Sequence, residues 1–137
     1  MQIIRGTVVT MNPQREILTN GAIAVDGNTI ALVDNFDAVR AIYPDAVVTG
    51  SPNDLVLPGY INGHQHLTGD RLIQSSIPDN LAPGEAIFTW VVPVHAEHTG
   101  DDDELSATLT LAESLTNGIT TTFEAGTVAH PDRIARA

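Results

Sequence analysis

The segment VLPGYINGHQHL, Val56 to Leu67, restricts this chain more than any other part of it. A nearly unbroken apolar run meets Pro58-Gly59, resumes at Tyr60-Ile61, and ends in two histidines one residue apart. Such a run suits a strand buried on both faces better than one with a solvated side. Residues two apart in a strand share a side and lie roughly 6.6 Å apart along it. His64 and His66 are therefore expected on one face, with Gln65 on the other. Two imidazoles placed this way either converge on one metal ion or are packed or solvent-facing histidines at a strand end. Spacing alone leaves both readings open.

Composition narrows the chemistry. The sequence of 137 residues has no cysteine, so thiolate metal sites and disulfides are excluded and any metal must be held by nitrogen and oxygen. An apolar content of 42% is that of an ordinary globular domain, so a packed core is expected. The formal charge of −11, with arginine as the sole strong base, argues against partners made of nucleic acid or anionic membrane. The opening MQIIRGTVVTMNPQ lacks the basic, apolar and small-residue regions of a signal peptide, and no apolar run reaches membrane-spanning length. A soluble, cytoplasmic protein is the expectation.

The first fifty-odd residues read as short strands. IIRGTVVTM alternates, and Asp26-Gly27-Asn28 between two apolar runs signals a hairpin. FDAVRAIYP suits one or two helical turns ended at Pro44, and DAVVTG suits another strand. Residues 54–62 then read as one strand that is apolar on both faces. Residues 68–100, rich in proline and glycine, read as a long irregular connection with one helix near EAIFTWVVPV. Asp101-Asp102-Asp103-Glu104 suits a helix N-terminus, Leu105, Leu109, Ala112 and Leu115 an apolar stripe, and Asn117-Gly118 a stop. ITTTFE comes next as a strand, and HPDRIARA opens another helix. Strand, excursion, helix, strand, helix is the start of a βα-repeat with a parallel sheet.

The run LVLPGYINGHQHL closely resembles the first barrel strand of the amidohydrolase superfamily, whose H-x-H supplies the first two metal ligands. SLTNGITTTFE resembles that superfamily's second barrel strand, and the preceding β-rich segment resembles its N-terminal sandwich portion. HQHL, FTWVVPVHAE and TTTFE together are most similar to one branch. It contains the S-adenosylhomocysteine/methylthioadenosine deaminases, the guanine and cytosine deaminases, and the triazine hydrolases. The resemblance implies an α/β fold. Residues 1–55 would form a β-sandwich portion, and residues 56–137 the first two β/α units of an incomplete TIM (β/α)8 barrel.

The resemblance also implies a divalent metal, zinc first and iron second, with His64 and His66 as ligands. The reaction implied is hydrolysis of a C–N or related bond of a nitrogen heterocycle by metal-activated water. The substrate would be a small purine, pyrimidine or triazine-like molecule. Glu124 takes the place of the acidic residue ending strand two, whose role varies among relatives, and with Trp90 is a candidate for the substrate pocket. Trp90 lies in the excursion that helps wall the substrate pocket, although a plain core role suits it equally. His95, His98 and His130 match no ligand position and read as surface or loop histidines. The family's remaining metal ligands and its acid/base glutamate come from later strands, so no catalytic residue is identifiable in this chain. A fragment, inactive alone and needing the rest of a barrel or oligomeric partner chains, is expected. Two other readings stand beside this one: a binding or assembly module that keeps the fold without catalysis, and the dinuclear cyclic-amide hydrolase branch.

Overall fold

The computed structural model describes residues 1–69, 75–126 and 129–137. The polypeptide divides into two compact units, Met1–Pro58 and Gly59–Ala137, and not at the 55/56 boundary expected from the sequence.

In the first unit, strands β1 (Gln2–Val9), β2 (Ile17–Asp26), β3 (Thr29–Asn35) and β4 (Val47–Val56) form one sheet in the order β3-β2-β1-β4. β1 runs antiparallel to β2 and parallel to β4, and β2 and β3 form an antiparallel hairpin. The hairpin closes at the Asp26–Thr29 pair around Gly27, whose φ of 60° carries no steric penalty in a residue without Cβ. Helix α1 (Phe36–Ile42) crosses from β3 to β4 and buries Val39 against Ile3, Ala22 and Ala24. Arg5 lies 4.0 Å over the Phe36 ring and donates to Asn20 Oδ1, so its charge is placed at the edge of this core.

The expected single strand over 54–62 is not formed. Residues 54–56 finish β4, and β5 begins at Tyr60 (Tyr60–Gln65). Pro58 has no amide hydrogen to give to a ladder, so the chain changes sheets there. Gly59 then permits a close approach, because a Cβ at this position would overlap the Thr120 side chain. Neither half is buried on both faces: Leu55 is 61% exposed and Ile61 is 75% exposed.

In the second unit β5 pairs in parallel with β6 (Ile119–Glu124). Part of the expected irregular connection, residues 70–74, lies outside the described residues. Its later part is more helical than proline and glycine suggest: α2 (Pro83–Glu85), a π-helical turn (Ala86–Val91) and α3 (Val92–Ala96) succeed one another without a break. The widened turn precedes Pro93, which cannot donate to the carbonyl four residues back; the Val92 amide instead reaches Ile87 O.

Helix α4 (Gly100–Thr116) starts at a capping box, with Thr99 accepting from the Asp102 amide and the Asp102 carboxylate accepting from the Thr99 amide. The Thr99 hydrogen bonds hold the Asp102 carboxyl below the usual carboxylate range. The helix stops at Asn117-Gly118, where both amides bond back into its last turn. Its buried residues are Asp103, Ser106, Ala107 and Ser114, whereas Leu105, Leu109 and Leu115 are exposed. The leucine stripe is thus the outer face of α4 within this unit. Small residues form the inner face, where Ala107 packs with Leu67 and with Ile134 of α5 (Pro131–Ile134). Among the described residues no helix is long and apolar enough to cross a membrane.

Candidate metal centre

Parallel pairing brings the C-terminal ends of β5 and β6 side by side. The register holds a bulge: Asn62 pairs with Thr122, yet Gln65 pairs with Glu124, so β5 carries one extra residue around Gly63-His64. Bulges of this kind re-aim side chains near strand ends. His64 and His66 are both exposed, with ring centroids 5.1 Å apart and planes at 89°. The rings therefore lie together on one side. Gln65, between them, turns the other way: it accepts from Asn62 Nδ2 at 2.9 Å and reaches Ser114 Oγ of α4 at 3.5 Å.

The backbone carrying the pair is fixed at several points. The His64 amide donates to Asn62 Oδ1 at 3.2 Å. Gln65 O accepts from the Ala125 amide at 2.8 Å, and the Leu67 amide donates to Glu124 Oε2 at 2.7 Å. The second Glu124 oxygen accepts from the Gly126 amide at 2.9 Å. Glu124, a substrate-pocket candidate from the sequence, thus has both carboxylate oxygens engaged by backbone amides. Trp90 is half-buried in the π-helical turn.

Two neutral imidazoles suit Zn²⁺ or Fe²⁺ and would supply part of a donor set. Among the described residues no group of three or more His, Asp or Glu side chains is placed to hold a metal. A catalytic zinc commonly takes three protein ligands, so the pair fits the first portion of such a site.

A second cluster is not anticipated by the sequence pattern. Asp103, 1% exposed, accepts from His98 Nδ1 at 2.9 Å, and from the Nδ1 and backbone amide of His130 at 3.0 and 3.1 Å. Burial pushes the Asp103 carboxyl up, but the hydrogen bonds from His98 and His130 outweigh it and hold the group below its ordinary value. An ionised carboxylate only accepts, so both Nδ1 atoms carry the proton in this arrangement. His95 stacks on His98 at 5.4 Å between centroids and lies 3.5 Å from Thr68 Oγ1. His98 and His130 lie in loops, as expected, and His95 lies in α3; all three are half-buried, His98 and His130 joined through Asp103 and His95 through its stack on His98. The signal in the sequence was Asp103 in phase with Ser106 and Ala107 on the inner face of α4.

No protein-family profile matches the chain. The 5-methylthioadenosine/S-adenosylhomocysteine deaminase of Nitratidesulfovibrio vulgaris (strain DP4) is 32% identical over 113 residues, which span 82% of this chain and 25% of that protein. The zinc complex of the atrazine chlorohydrolase TrzN from Arthrobacter aurescens TC1 superposes with a TM-score of 0.77 at 25% identity, covering 99% of this chain and 32% of that one. A zinc-bound adenosine deaminase from Xanthomonas campestris shares the fold, with a TM-score of 0.75 at 23% identity over 90% of this chain and 28% of that one. The chain thus spans about a quarter to a third of the length of the proteins it matches. With its parallel strand pair and its histidine pair alongside these relatives, the chain belongs to the amidohydrolase superfamily, in the branch that holds these deaminases and triazine hydrolases.

Proposed function

We propose that this chain supplies the first two β/α units of a (β/α)8 barrel, preceded by part of a β-sandwich. The longer protein would be a metal-dependent hydrolase that deaminates an amino-substituted nitrogen heterocycle in the cytoplasm. The observation that carries this reading is the His64–His66 ring pair at the end of β5, in a chain 32% identical to a methylthioadenosine/S-adenosylhomocysteine deaminase. His64 and His66 would hold the metal, zinc by preference. A bound divalent metal supplies Lewis-acid chemistry, lowering the pKa of water toward neutrality. The chain's own contribution is to hold two imidazoles on one side of a strand end, with Gln65 and α4 bracing the other side. Trp90 forms part of the wall against which the heterocycle packs.

For this chain alone we infer weak metal binding and no turnover, because among the described residues two imidazoles leave the donor set short. The test uses the longest polypeptide that contains this sequence. Ammonia release is measured with zinc from methylthioadenosine, S-adenosylhomocysteine, guanine and cytosine, and chloride release from a chlorotriazine. Turnover of one of these, lost in His64→Ala and in His66→Ala, is expected. A metal-loaded protein that turns over none of them would overturn the reading in favour of a binding module.

A further inference from the structure

The Glu124 carboxylate sits at the point where the backbone of the histidine pair is set. His66 lies between Gln65 and Leu67, and both neighbours are tied to the end of β6. The Gln65 carbonyl takes the Ala125 amide at 2.8 Å, and the Leu67 amide gives to Glu124 Oε2 at 2.7 Å. The other Glu124 oxygen takes the Gly126 amide at 2.9 Å, so the carboxylate is itself oriented from both sides. Leu67 is 6% exposed and Thr68 is fully buried, which leaves the chain after His66 little room to adjust.

We propose that Glu124 is a positioning residue for the histidine pair. Its carboxylate clamps the Leu67 amide, so that the backbone leaving the β5 bulge holds the His66 ring beside that of His64. This inference rests on reading the pair as a metal site. Three features favour it over a plain strand-end contact. Charge-assisted N–H···O⁻ bonds are about twice as strong as neutral ones, so the clamp is stiff. The ladder between β5 and β6 is broken by the bulge just before this point, so backbone pairing alone does not fix the course of the chain beyond Gln65. The bond joins two consecutive strands across 57 residues of sequence at the end that carries the candidate ligands. Groups that orient ligands without touching the metal typically change its affinity about 10- to 100-fold when removed.

The test is NMR of the longest polypeptide that contains this sequence, ¹⁵N-labelled at leucine and histidine, wild type and Glu124→Gln, with and without zinc. Glutamine keeps the size and one acceptor oxygen but turns an N–H₂ on one of the two amides. In wild type, an NOE between the His64 and His66 rings is expected, and the Leu67 amide should shift along the same zinc-binding curve as both imidazoles. In Glu124→Gln the ring–ring NOE should weaken, and zinc affinity should fall about tenfold while far-UV circular dichroism stays unchanged. A variant that loses the wild-type Leu67 amide shift but keeps both the NOE and the zinc affinity would overturn the proposal. If Glu124→Gln does not fold, wild type decides: a Leu67 amide that stays still while both imidazoles saturate overturns it. If zinc moves neither imidazole in wild type, the metal reading fails, and the NOE comparison without zinc still decides whether Glu124 positions the pair.

Discussion

That His64 and His66 share one side was legible from spacing because a strand has a period of two, and their rings lie together although a bulge interrupts the ladder. Glu124 and Asp103 were not legible in the same way. Each is bonded to residues far along the chain, Leu67 in one case and His130 in the other. Nothing local distinguishes Asp103 from the acids on either side of it; only helix phase turns it inward, with Ser106 and Ala107. Its carboxylate takes three N–H groups in a buried setting, so Asp103→Ala should cost about 1.5–3 kcal/mol, read from the shift in urea midpoint at pH 7. The direction of its shift sets the pH dependence. A carboxyl held below its ordinary value in the folded state stabilises the fold above its unfolded pKa and loses that contribution as pH falls through the folded value. The titration of Asp103 itself should therefore leave its contribution in place down to about pH 5 and remove it progressively below about 4. The difference in midpoint between wild type and Asp103→Ala should shrink over the acid range. A gap that does not shrink at all as pH falls from about 5 to about 2.5 would mean that the charge on Asp103 contributes nothing.

Among the elements, turn and cap chemistry marked the boundaries that the structure bears out. Gly27 closes the β2–β3 hairpin, α1 ends at Ile42 just before Pro44, and α4 stops at Asn117-Gly118. Apolar runs misled where proline intervened. The run through Val56 to Ile61 is one pattern in sequence but belongs to two sheets, because Pro58 cannot join a ladder. The leucine stripe of α4 lies on one face, as its period implies, but period does not say which face is inner, and within this unit small residues take that side. The π-helical turn has the same kind of origin. Pro93 leaves the Thr89 carbonyl without its α-helical donor, and the preceding turn widens. Pro93→Ala should restore that donor and tighten Ala86–Val91 toward α geometry, which changes the setting of Trp90, the chain's single tryptophan. A shift in tryptophan emission together with a gain in helical circular dichroism at 222 nm is expected. Unchanged emission and ellipticity would show that another contact, and not Pro93, sets the wide turn.

At the scale of the molecule, the described residues leave much apolar surface uncovered. The second unit buries Leu67, Ala107 and Ile134 as its core, while Ile61, Phe88, Leu105, Leu115 and Phe123 are each at least 65% exposed. Phe123 lies on β6 and Ile61 on β5, in a sheet of two strands, so apolar side chains stand beside unpaired strand edges. Exposed apolar side chains beside open strand edges mark a place where something else packs. A net charge of −11 opposes non-specific aggregation but supplies no packing partner. The matched relatives are three to four times as long, which offers one source of cover; a second copy of this chain is another. The expected outcome for the isolated chain is therefore self-association or a loosely packed state. Sedimentation velocity should show a dimer or larger species at micromolar concentration, and a fluorescent apolar dye should bind strongly. Phe123→Lys together with Leu105→Lys should weaken the association or the dye binding. A monomer that melts cooperatively and binds no dye would mean that these side chains need no cover, and the case for two β/α units of a larger barrel would lose its physical support.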